Sequence, residues 1–156
     1  MTRNALILIA AGGSAGMLLG AFAFQFIGGL APCTMCVWQR WPHAAAIAIA
    51  ALVMVIPGRL LPAAGALATL CTAAIGAYHT GIERGWWSGP SACSSGPISG
   101  LSADELMAQI MQAPLARCDE VPWELLGLSM ASWNTLISLG LTLVWCVALV
   151  KTKPAH

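Results

Sequence analysis

The chain has 156 residues, of which 58% are hydrophobic and 8% charged, with a formal net charge of +1 at pH 7. A water-soluble domain carries about a quarter charged residues, so this chain lacks the polar surface to cover a soluble globule. It also lacks a basic patch to neutralise phosphates, which excludes nucleic acid as a partner.

No charged residue occurs from Asn4 to Gln39, from Trp41 to Gly58, from Leu60 to Ile82 or from Leu125 to Val150. A spanning helix needs roughly 20 apolar residues. These stretches predict transmembrane helices near 5–29, 38–57, 61–82 and 130–150, the second being the shortest. The tight connections, 28–36 and Pro57-Gly58-Arg59, predict an all-α, four-transmembrane-helix up-down bundle forming a single membrane domain over 1–156.

In the first helix, Arg3, an apolar run and Ala21-Phe22-Ala23 imitate a secretory leader. The run continues to Leu30, too long for an h-region of about 7–15 residues, so an uncleaved helix is expected. Gly12, Gly16 and Gly20 form two GxxxG steps, which predict close helix packing. A nucleotide-binding loop is the sharper alternative, but no strand precedes it.

The loops near 28–40 and 83–128 share one side of the membrane. All six acidic residues lie between Glu83 and Glu124. Within that loop Ser102-Ala103-Asp104-Glu105 fits a capping box, with Leu101 and Leu106 as a hydrophobic staple. It predicts a short amphipathic helix near 103–112 carrying Leu106, Met107, Ile110 and Met111 on one face, lying on the membrane or against the bundle. Arg3, Arg59, Lys151 and Lys153 fall on the side of the termini; Arg40, Arg84 and Arg117 fall on the other. The positive-inside rule then puts the termini in the cytoplasm, by one basic residue.

Of the six cysteines, Cys71 and Cys146 fall within spans and read as small apolar packing residues. Cys33, Cys36, Cys93 and Cys118 fall on the outer side. Cys33-Thr34-Met35-Cys36 is a CxxC. Haem attachment would need His where Val37 stands, and zinc would need a second close pair, whereas Cys93 and Cys118 are far apart in sequence. A CxxC bridge closes a very small loop and is a poor staple, so a redox role is favoured over an inert disulfide. Pro32 suits the first position of a helix, whose N-terminal dipole would favour thiolate. Cys36, Arg40 and His43 would then share one helix face, although Pro42 would interrupt that helix. Arg40 also reads as an interfacial anchor between Trp38 and Trp41.

A dithiol that oxidises others must itself be reoxidised. The chain has no flavin or nicotinamide fingerprint and no metal-cluster motif, which leaves a lipid-soluble quinone by elimination.

Three segments resemble the DsbB family of disulfide bond formation proteins. They are Phe24-Gln25 with Pro32–Cys36 and Gln39-Arg40-Trp41-Pro42-His43; Tyr78-His79-Thr80-Gly81-Ile82-Glu83-Arg84-Gly85-Trp86-Trp87 with Pro90 and Cys93; and Cys118-Asp119-Glu120-Val121-Pro122-Trp123 with Gly127-Leu128-Ser129-Met130 and Trp133. The match runs in order along nearly the whole chain. The resemblance implies a multi-pass protein of the bacterial inner membrane, with its redox loops in the periplasm. It implies that Cys33–Cys36 is the quinone-coupled pair, with Cys36 facing the quinone. Cys93–Cys118 would be the shuttle pair, Cys93 forming a mixed disulfide with a soluble DsbA-like thiol oxidoreductase. Arg40, Gln25 and His79 would serve the quinone, with ubiquinone placed ahead of menaquinone. Two rivals remain: a non-catalytic membrane subunit with two structural disulfides, and an outward-directed disulfide reductase. The second would need a thiol pair on the cytoplasmic side, which Cys71 and Cys146 do not obviously supply.

Overall fold

The computed structural model describes residues 1–90, 93, 102–112 and 116–152. Its elements are α1 (Arg3–Phe26), α2 (Thr34–Val55), α3 (Leu60–Glu83), α4 (Ala103–Gln112), β1 (Glu124–Leu125), β2 (Leu128–Ser129) and α5 (Met130–Val150). The protein is mostly helical, and α1, α3 and α5 are each long and apolar enough to cross a membrane. α2 packs on α1 and α3, and α5 packs on the same two, so the four long helices surround one core.

That core is inverted relative to a soluble protein. Gln39, His43, Thr69, Thr72, His79, Asn134 and Ser138 are buried, while Leu8, Leu19, Leu67 and Leu143 are exposed. Lipid solvates such an apolar exterior, and the interior polar groups must find partners among themselves. α2 follows the rule closely. Gln39 and His43 lie on its buried face, and Val37, Trp38, Trp41, Leu52, Met54 and Val55 lie on its exposed face. At the end of the bundle holding the termini, Leu6, Ile7, Ala50, Val53 and Trp145 form an apolar cluster.

Several local features depart from expectation. α2 begins at Thr34, four residues before the expected 38, because Cys33 is its N-cap and accepts the Cys36 N–H at 3.2 Å. Pro32 therefore precedes the cap instead of occupying the first helical position. Pro42 lies inside α2 without ending it. A proline forfeits one N–H bond, a loss that membrane helices tolerate when neighbours satisfy the freed carbonyl.

The expected close packing at Gly12, Gly16 and Gly20 does not occur. A Cβ at any of the three would meet nothing within 4 Å. Close approach falls instead at Gly13 against Leu141, at Gly65 against the Trp145 ring and at Gly76 against Thr135 and Asn134. Cys71 and Cys146 are exposed on the outside of the bundle and do not pack in its core.

In the outer segment Ser102 N–H donates to Glu105 Oε2 at 2.8 Å and Glu105 N–H to Ser102 Oγ at 3.4 Å, the reciprocal bonds of a capping box at the start of α4. Met107 and Met111 are exposed. Leu101 and the side chains of Leu106 and Ile110 lie outside the described residues, as does Lys153. A two-stranded hairpin, absent from the sequence reading, pairs Glu124 with Ser129 and Leu125 with Leu128. Leu126 and Gly127 both take positive φ in its turn, which matches the twist of a two-residue hairpin. Ser129 leaves the hairpin as the N-cap of α5.

Candidate functional site

The cysteine cluster gathers where α2 begins and α3 ends. Cys33, Met35, Ile82, Cys93 and Cys118 are buried together, with Cys36 packed against them. Cys33 Sγ donates to Cys36 Sγ across 2.8 Å. That shared hydrogen bond raises the Cys33 pKa above the ordinary thiol range, and burial raises it further. Cys36 holds the accepting sulfur, in the first turn of α2.

Cys93 and Cys118 are joined by a disulfide, and both are fully buried. The Cys118 N–H donates to the Cys93 carbonyl at 2.9 Å, so the two segments also share a backbone bond. Cys33 Sγ, Cys118 Sγ and a His79 ring nitrogen lie within 4.8 Å of one another. By composition this is a metal-ligand set. The Cys118 sulfur is already bonded to Cys93, however, and a disulfide sulfur is a poor ligand compared with thiolate. The geometry makes the trio a junction between the two cysteine pairs.

His79 is oriented within that junction by Gln39. The Gln39 amide nitrogen donates to the Met35 carbonyl at 3.2 Å, which sets its orientation, and faces His79 Nδ1 at 3.0 Å. His79 Nδ1 is therefore an acceptor and Nε2 carries the hydrogen. Nε2 in turn faces Cys33 Sγ at 3.7 Å and Glu83 Oε1 at 3.9 Å. Glu83 is tied on its other oxygen to the Ser129 hydroxyl. Gln39 and Glu83 were not singled out in the sequence reading. The available signal was an acid closing a charge-free span four residues after a histidine.

Arg40 reaches across to α1, where Nη1 donates to Gln25 Oε1 at 2.6 Å and the guanidinium lies 4.9 Å from the Phe22 ring centroid. Beside it is a cavity of about 360 Å³. Gly16, Gly20 and Phe24 of α1, Cys36, Arg40 and His43 of α2, His79 of α3, and Trp123, Trp133 and Asn134 line it. Gln25 is not among the lining residues; it holds Arg40 from behind. Trp123 closes the outer edge, its ring 5.0 Å from that of Phe24. All four cysteines, Arg40, Gln25 and His79 thus belong to one connected constellation.

These features define an integral membrane protein with two cysteine pairs in contact beside a mostly apolar cavity. Residues 3–148 match the family model for disulfide bond formation protein DsbB. The chain is 31% identical over 148 residues to disulfide bond formation protein B of Aromatoleum aromaticum, covering 89% of this chain and 87% of the relative. It is 32% identical over 150 residues to disulfide bond formation protein B 2 of Pseudomonas aeruginosa, covering 90% and 85%. An uncharacterized protein of Rickettsia prowazekii is 27% identical over 126 residues, covering 78% and 73%. The chain belongs to the DsbB family, whose members are membrane proteins of disulfide bond formation.

Proposed function

We propose that this protein reoxidises a soluble, periplasmic DsbA-like dithiol partner and passes the electrons through its two cysteine pairs to a membrane quinone. The observation that carries this reading is the contact between the pairs, with Cys33 Sγ and Cys118 Sγ within 4.8 Å beside the cavity. A partner thiolate attacks Cys93, and Cys118 leaves. The partner's second thiol then releases itself as a disulfide, leaving Cys93 and Cys118 reduced. With Cys33 and Cys36 in their disulfide form, the state that loss of two electrons to a quinone would leave, Cys118 attacks Cys33, Cys36 leaves as thiolate, and Cys93 resolves the bridge. Two electrons and two protons thereby reach the Cys33–Cys36 pair. Because Cys93 is fully buried, the partner must uncover it before attack.

The cavity's chemistry fits a quinone. Its walls are mostly apolar, and Arg40, which lines it, holds a buried Nε without a hydrogen-bond partner, so its guanidinium has a donor to spare for a ring oxygen. When bound there, a quinone supplies the two-electron acceptor. Arg40 orients an oxygen and offsets developing negative charge, Gln25 holds Arg40, and His79 donates to the Cys33 sulfur. Gly16 and Gly20 leave room on the α1 side. Ubiquinone is the preferred quinone.

We further propose that α2 is a fourth span, inside a single membrane domain covering 1–156 with its termini in the cytoplasm of a bacterial inner membrane. Its polar residues turn inward, so its average composition understates how apolar a face it offers to lipid. The amphipathic α4 would lie at the periplasmic surface. The test is quinone reduction by purified protein supplied with a reduced DsbA-like partner. Turnover is expected; no turnover with any quinone would leave the reading of two inert disulfides ahead.

A further inference from the structure

Two residues that line the cavity, Arg40 and His43, each hold a buried polar atom without a hydrogen-bond partner, Nε and Nδ1. They lie three residues apart on α2, hence on one helix face. Ser14 and Trp145, which hold the other such atoms among the described residues, do not line the cavity. The two atoms have opposite chemistry. A guanidinium N–H can only donate. His43 Nε2 faces Asn134 Oδ1 at 3.0 Å, with Ser138 Oγ 3.4 Å away. The Asn134 orientation is set by its other end, because Nδ2 donates to the Thr72 carbonyl and the Thr72 hydroxyl, both at 3.2 Å. Asn134 Oδ1 only accepts, so His43 Nε2 carries the hydrogen, and Nδ1 of the neutral ring is a bare acceptor. His43 is 2% exposed, so water does not reach this acceptor from outside the bundle. Buried acceptors are normally paired, and an unpaired one in a residue that lines a cavity invites a ligand hydrogen.

We propose that His43 Nδ1 is a hydroxyl-recognition point, so that the cavity holds the reduced, dihydroxy form of its ring ligand more tightly than the oxidised dione. The inference rests on the quinone reading above and adds to it a residue that senses the ligand's oxidation state. Arg40 can donate to an oxygen of either form. His43 gains a partner only when the ligand brings a hydrogen, which the dione lacks. The Asn134–Thr72 chain, which links α5 to α3, keeps Nδ1 bare and is the positioning part of the device.

The test measures binding to the oxidised protein in nanodiscs by quenching of tryptophan fluorescence, since Trp123 and Trp133 line the cavity. The probes are a short-chain 1,4-benzoquinone, its hydroquinone under anaerobic conditions, and the hydroquinone dimethyl ether, which keeps the shape but has no hydrogen to donate. The unaltered protein should bind the hydroquinone about three- to tenfold more tightly than either the benzoquinone or the ether, the range of one net hydrogen bond. His43→Phe should erase that preference, the hydroquinone-to-ether affinity ratio falling to about one. His43→Gln, whose amide oxygen restores an acceptor, should recover part of the preference. A preference absent from the unaltered protein, or retained in His43→Phe, overturns the proposal. If His43→Phe loses all three ligands together, His43→Gln decides. In that case a preference equal to the unaltered protein's or partly recovered supports the proposal, and no preference overturns it. If the unaltered protein binds none of the three, the quinone reading itself fails, a result distinct from the failure of His43.

Discussion

Arg40, which lines the cavity, donates to Gln25 with one nitrogen and leaves another without a partner. A lysine keeps the charge but loses the planar, multi-donor geometry, so it cannot hold Gln25 and face the cavity at once. Arg40→Lys should therefore lower kcat/KM for quinone about tenfold, and Arg40→Met more than that. Both should still form the mixed disulfide with the partner at Cys93 when Cys118→Ala traps it, because that sulfur lies on another segment. Quinone reduction at the unaltered rate by Arg40→Met would return Arg40 to the role of an interfacial anchor. The cysteine pair makes a second forecast. The Cys33 pKa is raised, first by the hydrogen bond to Cys36 and then by burial, so at a given pH less of it is thiolate. In the reduced protein at pH 8, iodoacetamide should modify Cys36 well before Cys33, and the gap should narrow as the pH rises. Peptide mapping after timed quenching reads the order; Cys33 reacting first would contradict the shared hydrogen bond.

The glycines separate two kinds of contact between elements. At Gly65 a Cβ would stand 2.6 Å from the Trp145 ring, where α3 meets α5. Gly65→Ala should cost about 1–3 kcal/mol through overpacking. At Gly16 a Cβ meets nothing within 4 Å, and the residue borders the cavity. Gly16→Leu should leave thermal stability in detergent nearly unchanged and raise the KM for quinone severalfold. Equal thermal losses in the two variants would show that α1 packs more tightly than described. Ser129 joins three elements: it ends β2, caps α5 by accepting the Ser132 N–H, and donates to Glu83 at the end of α3. Ser129→Ala removes the cap and leaves a buried carboxylate short of one donor. It should destabilise the protein by about 1–3 kcal/mol, read by thermal unfolding.

At the scale of the whole molecule the polar groups run along the inside of the bundle and the apolar side chains cover its outside. Four spans would carry the termini and the 57–59 turn to one side, and the cysteine cluster with α4 to the other. The arrangement is tested in a cysteine-free variant with single reporter cysteines replacing Asp104 and Lys151, both exposed. A membrane-impermeant maleimide should label position 104 and spare position 151 in intact cells. Labelling of position 151 with protection of 104 would invert the orientation, and labelling of both would remove one span.

Membrane class, redox chemistry and family were legible in the sequence, because each rests on composition or on residues close together in the chain. Charge-free stretches mark apolar helices whatever their neighbours, and a CxxC brings its two sulfurs together once a helical turn forms there, as at the start of α2. The capping box before α4 was legible for the same reason, since its bonds span three residues. What only the tertiary structure decided depends on residues distant in sequence. Cys33, His79 and Cys118 meet because α2 begins where α3 ends, and no local pattern announces that meeting. Gln25 on α1 bonds Arg40 on α2 without itself lining the cavity, a placement that depends on how two helices pack. Gly16 and Gly20 of the GxxxG steps on α1 border a cavity, since a small-residue motif does not say which face receives a neighbour. Gln39 and Glu83, present only as members of longer motifs, and Asn134 carried no legible role for a related reason. Each works by orienting a histidine or a helix end on another element, and an orienting group shows its role only when its partner is in place.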